Sequence, residues 1–181
     1  QQKHAGIRPL SRYLSCDATV VMMAETETTV NPTIQQCSVD MIRDLGIEGL
    51  LEEHWDEVAL HKDLMVLSPD WHRYYEIEER GMMLVLAAST PADGIVGYSV
   101  TFIVPHLHYS DLIVANNDLL FVSKDWRRTG LGPRLILATE SASRERGARM
   151  MTWHAKPKTI LNKLMPKIGY GVQDIVHSKE L

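Results

Sequence analysis

The stretch Val122 to Leu135 reads V-S-K-D-W-R-R-T-G-L-G-P-R-L. It follows a β-prone run, Asp118 to Ser123. It precedes a segment in which Leu131, Leu135, Ala138 and Ala142 recur at helical spacing. A strand therefore runs into a loop whose glycines open a helix. Such a turn aims unpaired backbone N–H groups at the positive end of a helix dipole, where an anion is stabilised. Gly130 and Gly132 let an anion come close to the backbone, and Arg127, Arg128 and Arg134 add positive charge around it. A dinucleotide-binding G-x-G-x-x-G would need a small residue at Leu135 and an early strand, and both are missing. A Walker A loop would end in G-K-[ST], which is absent. What remains is R-x-x-G-x-G, or an ordinary glycine turn before a helix.

The rest of the chain fits around this turn. Thr33 to Val39 alternates and is β-prone. Asp40 to about Leu60 reads helical, with Gly46 and Gly49 dividing it. Ser68-Pro69-Asp70 is a helix start with a Ser cap, and Gly81 ends that helix. Met82 to Ala88 is an apolar run of strand length. The Pro91-Ala92-Asp93-Gly94 turn joins it to Ile95–Val104 in an antiparallel hairpin. Pro105 to Ser110 reads as a loop or strand end. Asp118–Ser123 is the next strand, and Ala148–His154 follows the central helix. Thr159–Ile168 is a short helix, and Val172–Val176 is a final strand. The order predicts a mixed α/β single domain, in which an antiparallel meander feeds one βαβ crossover.

Composition closes off other classes. The 181 residues carry 19 Lys+Arg, 23 Asp+Glu and 8 His, a formal net charge of -4. That balance argues against nucleic-acid binding through net charge. Met82–Ala88 is far too short to span a membrane, so no membrane association is expected. Cys16 and Cys37 make neither a disulfide framework nor a zinc site, so a reducing cytoplasm is the expected compartment. The chain opens Gln1-Gln2-Lys3-His4, and Met22-Met23 reads like a protein start. Residues 1–22 are therefore expected to be an extension or a poorly ordered arm, and 23–181 the domain.

Leu120-Phe121-Val122, Arg127 to Gly132, and Gly169-Tyr170 after a short helix together resemble the GNAT superfamily of N-acetyltransferases. The resemblance spans roughly Thr33 to Leu181. The C-terminal wording E-R-G-A-R-M-M-T-W-H-A-K and G-Y-G-V-Q-D is also similar to GNAT-type proteins of tailed bacteriophages. The resemblance implies a mostly antiparallel twisted sheet with a splayed parallel strand pair and flanking helices. It implies acetyl-CoA as co-substrate, with no metal. The pyrophosphate would rest on the backbone amides of Arg128, Thr129, Gly130, Leu131 and Gly132, with Arg127 and Arg134 nearby. Leu120 and Val122 would border the pantetheine arm. Pro133 departs from the pattern, because it has no N–H to give.

Acetyl transfer requires a base to free the amine and an acid for the thiolate. The positions that commonly hold them in the family fall on Asn116 and Met165, which can do neither. Substitutes are at hand. Asp118 or His108 is the expected base, and Tyr109 or His154 the expected acid. Asp118 would share a strand face with Asn116. His106-x-His108 lacks a third ligand, so it is not read as a metal site. Trp55, Trp71, Tyr74 and Tyr75 would line an acceptor pocket or pack a core. The acidic group Glu48, Glu52, Glu53, Asp56 and Glu57 would be a solvated face or would draw in a cationic amine.

Two functions stay open. One is an N-acetyltransferase acting on a primary amine of a small molecule or protein by direct attack in a ternary complex. The other is a CoA-binding scaffold that works by docking on a protein. That protein would be a host protein, in the host cytoplasm, if the chain is phage-encoded. A monomer or homodimer suits either.

Overall fold

A computed structural model describes residues 31–180. The expected arm, residues 1–22, lies outside the described residues. The elements in order are β1 (Thr33–Cys37), α1 (Val39–Asp44), α2 (Ile47–Val58), α3 (Trp71–Glu79), β2 (Met83–Thr90), β3 (Gly94–His106), β4 (Tyr109–Val122), α4 (Leu131–Glu145), β5 (Met150–Trp153) and α5 (Ile160–Leu164). Short 3-10 turns cover Lys124–Trp126 and Met165–Ile168.

The strands form one five-stranded sheet in the order β1-β2-β3-β4-β5. Every pairing is antiparallel except β4 with β5, which is parallel. This is the expected mixed α/β architecture. Strand β2 explains its own unbroken apolar sequence, because it is buried on both faces. Val85 and Ala87 pack with Tyr98, Val100 and Phe121 under α1–α3. Leu84 and Leu86 pack with Ile103, Ala115 and Leu135 under α4. Helix α4 buries Leu131 and Leu135 completely, as its spacing predicts.

Helix ends follow local chemistry. Gly46 sits at φ 78° before α2, so glycine divides the early helical run there, while Gly49 lies inside α2. The Ser38 hydroxyl accepts from the Met41 N–H at 3.1 Å and caps α1. The cap of α3 is Asp70, not Ser68: its carboxylate accepts from the Arg73 N–H at 3.1 Å. Pro69 therefore precedes the helix instead of opening it.

Two strand expectations need correction. Strand β4 begins at Tyr109, nine residues before Asp118, because Ile113–Ala115 pairs with β3 and is buried or half-buried. Apolar side chains pointing both ways hide the alternation on which the sequence reading depended. The final strand, Val172–Val176, does not form. The sheet ends at β5, and a β-prone segment without a ladder to join gains nothing from its propensity.

The central irregularity lies in β4. Val100 pairs with Leu119 and Thr101 with Asn117, so Asp118 is an extra residue opposite β3. As a result Asp118 and Leu119 both border the cavity under α1–α3, and Leu120 packs on the α4 side. Asn117 fills the gap and is 2% exposed. Its amide nitrogen lies 2.9 Å from Ser99 Oγ, 3.1 Å from the Val100 carbonyl, 3.0 Å from Thr101 Oγ1 and 3.2 Å from the Leu119 carbonyl. Thr139 on α4 extends the network by donating to Ser99 Oγ at 3.0 Å. The β4–β5 ladder covers Val114 to Asn117 and stops there.

Replacing Asn117 by Ala leaves buried carbonyls and hydroxyls without their donor, at a cost of about 3 kcal/mol in unfolding free energy. Urea unfolding reads this directly, with Asn116→Ala expected to move stability much less. An unchanged midpoint for Asn117→Ala would show that the amide does not hold the bulge.

Candidate functional site

Beyond Asn117 the parallel pair opens. Ser123 N–H donates to the Val96 carbonyl at 2.9 Å. Residues along an antiparallel ladder face alternate neighbours, so Leu120 and Val122 turn their backbone groups toward the β5 side. Strand β5 ends at Trp153 opposite Asn117, so no strand meets them there. An extended polar chain can add to this edge as a strand would.

The glycine turn follows at the same end. Gly130 (φ 85°) and, unusually for a non-glycine, Arg128 (φ 69°) adopt left-handed backbone. The Thr129 hydroxyl donates to the Trp126 carbonyl at 2.7 Å and steadies the turn. The Arg134 N–H returns to the Gly130 carbonyl at 3.2 Å, and Pro133 has no N–H. The N–H groups of Arg128, Thr129, Gly130, Leu131 and Gly132 donate to no acceptor among the described residues. With the dipole of a 15-residue helix behind them, their arrangement suits an anion.

The arginines divide in their roles. Arg127 Nη1 and Nη2 donate to the two carboxylate oxygens of Glu57 at 2.9 and 2.7 Å, and Nε donates to the Val122 carbonyl at 2.9 Å. That pairing holds the Glu57 carboxyl below its usual range. Arg134 donates to the Pro32 carbonyl at 2.9 Å. Arg128 is exposed and its side chain has no partner among the described residues, and Arg134 is exposed as well. Most of the acidic group is used internally as well. Glu57 holds Arg127, Asp56 holds Lys62, Glu48 lies by Arg43, and Glu53 accepts from the Lys124 N–H.

Under α1–α3 lies a cavity of about 340 Å³, bordered by Asp118 and Leu119 at the bulge. Trp55, Trp71 and Tyr74 line it. Tyr75 does not; it donates to Asp40 at 2.5 Å instead. Two site residues escape the sequence reading. His54 Nδ1 lies 2.6 Å from the Tyr98 hydroxyl, and both line the cavity. The His54 ring stacks on Phe121 at 4.6 Å, and burial lowers its pKa to about 4. Burial and nearby phenol and carboxylate groups, Asp118 among them, push Tyr98 up. Burial and Asp118 do the same to Tyr74. At neutral pH the cavity thus holds neutral His54, Tyr74 and Tyr98 beside the Asp118 carboxylate. The available signal for His54 was its position, since Ile47, Leu51, His54 and Val58 repeat at helical spacing and place it on the inward face.

The other expected acid–base residues are scattered. His108 lies in the two-residue turn between β3 and β4, and Tyr109 is the first residue of β4. Nine strand residues at about 3.3 Å each put Tyr109 roughly 30 Å from Asp118. The structure therefore does not bring His108 and Tyr109 to the cavity. His106 stays with them, its ring 4.7 Å from Tyr109. His154 is exposed just after β5, near the strand opening. Asn116 accepts from Thr152 Oγ1 at 2.8 Å, and Met165 is buried. Among the described residues no group of three His, Cys, Asp or Glu side chains could hold a metal ion, and no helix is long and apolar enough to cross a membrane.

Residues 47–170, more than half of the chain, match the acetyltransferase (GNAT) family, and the chain belongs to that family. The fold is similar to an aminoglycoside acetyltransferase from an uncultured soil metagenomic sample (TM-score 0.64, 17% identity, covering 83% of this chain and 95% of that one). It is also similar to a ribosomal-protein-alanine N-acetyltransferase from Brucella melitensis biovar Abortus 2308 (0.62, 17%, 83% and 99%). A third similar structure is glucosamine-6-phosphate N-acetyltransferase from Arabidopsis thaliana (0.62, 14%, 83% and 99%). None of the curated protein sequences matches the chain.

The buried histidine makes stability pH-dependent. Its pKa falls from 6.5 unfolded to about 4 folded. Between those values the unfolded chain binds a proton that the folded chain refuses. The contribution is complete above pH 6.5 and declines as pH falls toward 4. Thermal unfolding should show the midpoint falling more steeply below pH 6.5 in the parent protein than in His54→Gln. Parallel curves would exclude His54 as the titrating group.

Proposed function

We propose that this GNAT-family protein is an acetyl-CoA-dependent N-acetyltransferase acting on a primary amine by direct attack in a ternary complex. One juxtaposition carries the reading. The N–H groups of Arg128–Gly132, unpaired among the described residues, and the backbone edge at Leu120 and the Val122 N–H lead to a cavity whose one carboxylate among the described residues is Asp118. The donor set suits a pyrophosphate, and the open edge suits an amide-bearing arm. Acetyl-CoA, when bound, supplies the acyl group as a thioester.

The chain's own residues do the rest. Backbone amides and Arg128 hold the anion. Asp118, exposed at the bulge, takes a proton from the acceptor ammonium directly or through water. Forming the amide removes two protons from that ammonium. One leaves with the thiol and one is released, so a strong acid at Met165 is not required for the balance. His154, at the mouth of the opening, is the titratable group placed to assist thiol protonation. Direct attack is supported by the cysteine inventory: Cys37, the one cysteine among the described residues, is buried in the core and does not line the cavity.

The second reading, a CoA-binding scaffold acting through a protein partner such as a host protein, is favoured by one observation. The usual acid and base positions hold a buried Met165 and an Asn116 engaged by Thr152.

Both readings expect CoA to raise the thermal midpoint. Only the enzyme releases free thiol from acetyl-CoA in an amine-dependent way, and there Asp118→Asn should lower kcat/KM about a hundredfold. Stabilisation by CoA without turnover supports the scaffold. No stabilisation by CoA overturns both.

A further inference from the structure

The chemistry of the cavity selects its occupant. Among the described residues Asp118 is the only charged side chain that lines it, because His54 is neutral. The nearest aromatic-bound cations stay outside: Arg43 stacks on Trp71 at 5.0 Å and Lys62 on Trp55 at 4.5 Å, and neither lines the cavity. The polar groups are few. Tyr98 and His54 already satisfy each other at 2.6 Å, which leaves the Tyr74 phenol and Ser68 beside Asp118. The remaining wall is aliphatic or aromatic, from Ile42 and Leu51 on the helices to Val85 and Val100 on the sheet.

We infer that the acceptor is a hydrophobic primary amine, an ammonium group on a short linker joined to an aryl or branched alkyl body. The inference rests on the acetyltransferase reading above and names its substrate class. Three observations set it. A phosphate or carboxylate on the acceptor would be desolvated with no cation to pair with. A polyhydroxylated or polycationic acceptor would bury donors that the wall cannot satisfy. A volume of about 340 Å³ lies at the small end of small-molecule sites, large enough for one ring and a short linker. The same wall helps the chemistry. Moving an ammonium into apolar surroundings lowers its pKa and raises its neutral, nucleophilic fraction. Asp118 supplies the orienting charge and receives the proton.

The test is a panel of acceptors with acetyl-CoA, following free thiol, and a parallel thermal-shift series with CoA and each amine. From propylamine to hexylamine, kcat/KM should rise about fourfold per methylene until the cavity is full. Phenethylamine should exceed spermidine, kanamycin and glucosamine 6-phosphate by at least tenfold. A flat alkyl series, or faster turnover of spermidine or kanamycin, overturns the inference and leaves the acetyltransferase reading standing. Midpoints that climb with alkyl length while no amine is acetylated keep the hydrophobic site and overturn the enzyme. Neither turnover nor a shift overturns both.

Discussion

The extra residue in β4 is the constraint on which the site depends. A strand that kept its alternation past Asn117 would have stayed paired with β5. Instead Asp118 is inserted opposite β3, and the parallel ladder ends at the residue before it. Two consequences follow from that one insertion. Asp118 and Leu119 both turn to the cavity, and the strands separate so that the backbone of Leu120 and the N–H of Val122 meet no strand on the β5 side, while the Val122 carbonyl accepts from Arg127. A bulge of this kind leaves carbonyls without ladder partners in a buried place, which is costly unless something else donates to them. The Asn117 amide meets that need within 3.2 Å of both neighbouring carbonyls, and its link through Ser99 to Thr139 fixes α4 over the same point.

The two halves of the site are joined by a chain of contacts. Glu57 on α2 grips Arg127 in the glycine turn, Arg127 lies over Phe121 at 5.2 Å, and Phe121 carries the His54 ring that meets Tyr98. Lys156, just beyond β5, donates to the Val58 carbonyl at the end of α2. The helix that walls the cavity is thus held by residues on both sides of the strand opening. With a two-bond guanidinium–carboxylate pair at its centre, the glycine turn and the wall that shapes the cavity share one rigid connection.

The glycine turn, the helix after it and the doubly covered β2 were legible because each is a local pattern: glycines before a helical repeat, or an apolar run of strand length. The site was only half legible for the same reason. Asp118 could be named because it is a carboxylate close to the motif. His108 and Tyr109 could be named too, but only the length of β4 shows how far they lie from it, and its start was hidden by apolar residues on both faces. His54 and Tyr98 belong to different elements 44 residues apart, so their meeting is a tertiary fact. Arg127 and Arg134 looked like anion ligands by proximity, and their actual partners, Glu57 and Pro32, lie 70 and 102 residues away. The strand at Val172–Val176 failed for the opposite reason, since local propensity was present and a ladder to join was not.

The assignment of charge around the turn has a further implication for how an anion is held there. Two of the three arginines serve the fold: Arg127 is neutralised by Glu57 and Arg134 faces a carbonyl. Coulomb attraction from exposed arginines therefore comes from Arg128 and Arg134, whose fields in water are screened within about 10 Å at ordinary salt. An anion at the turn would then be held chiefly by the five backbone N–H groups and the dipole of α4, which act at hydrogen-bond range. Hydrogen bonds of that kind are directional. They would fix where the phosphates of the proposed co-substrate sit, and with them where its arm meets the open edge of β4, which a flexible cluster of arginines would not do. For the transfer proposed above, precision of placement would matter more than depth of binding, because the reacting groups would meet at Asp118, the extra residue of β4.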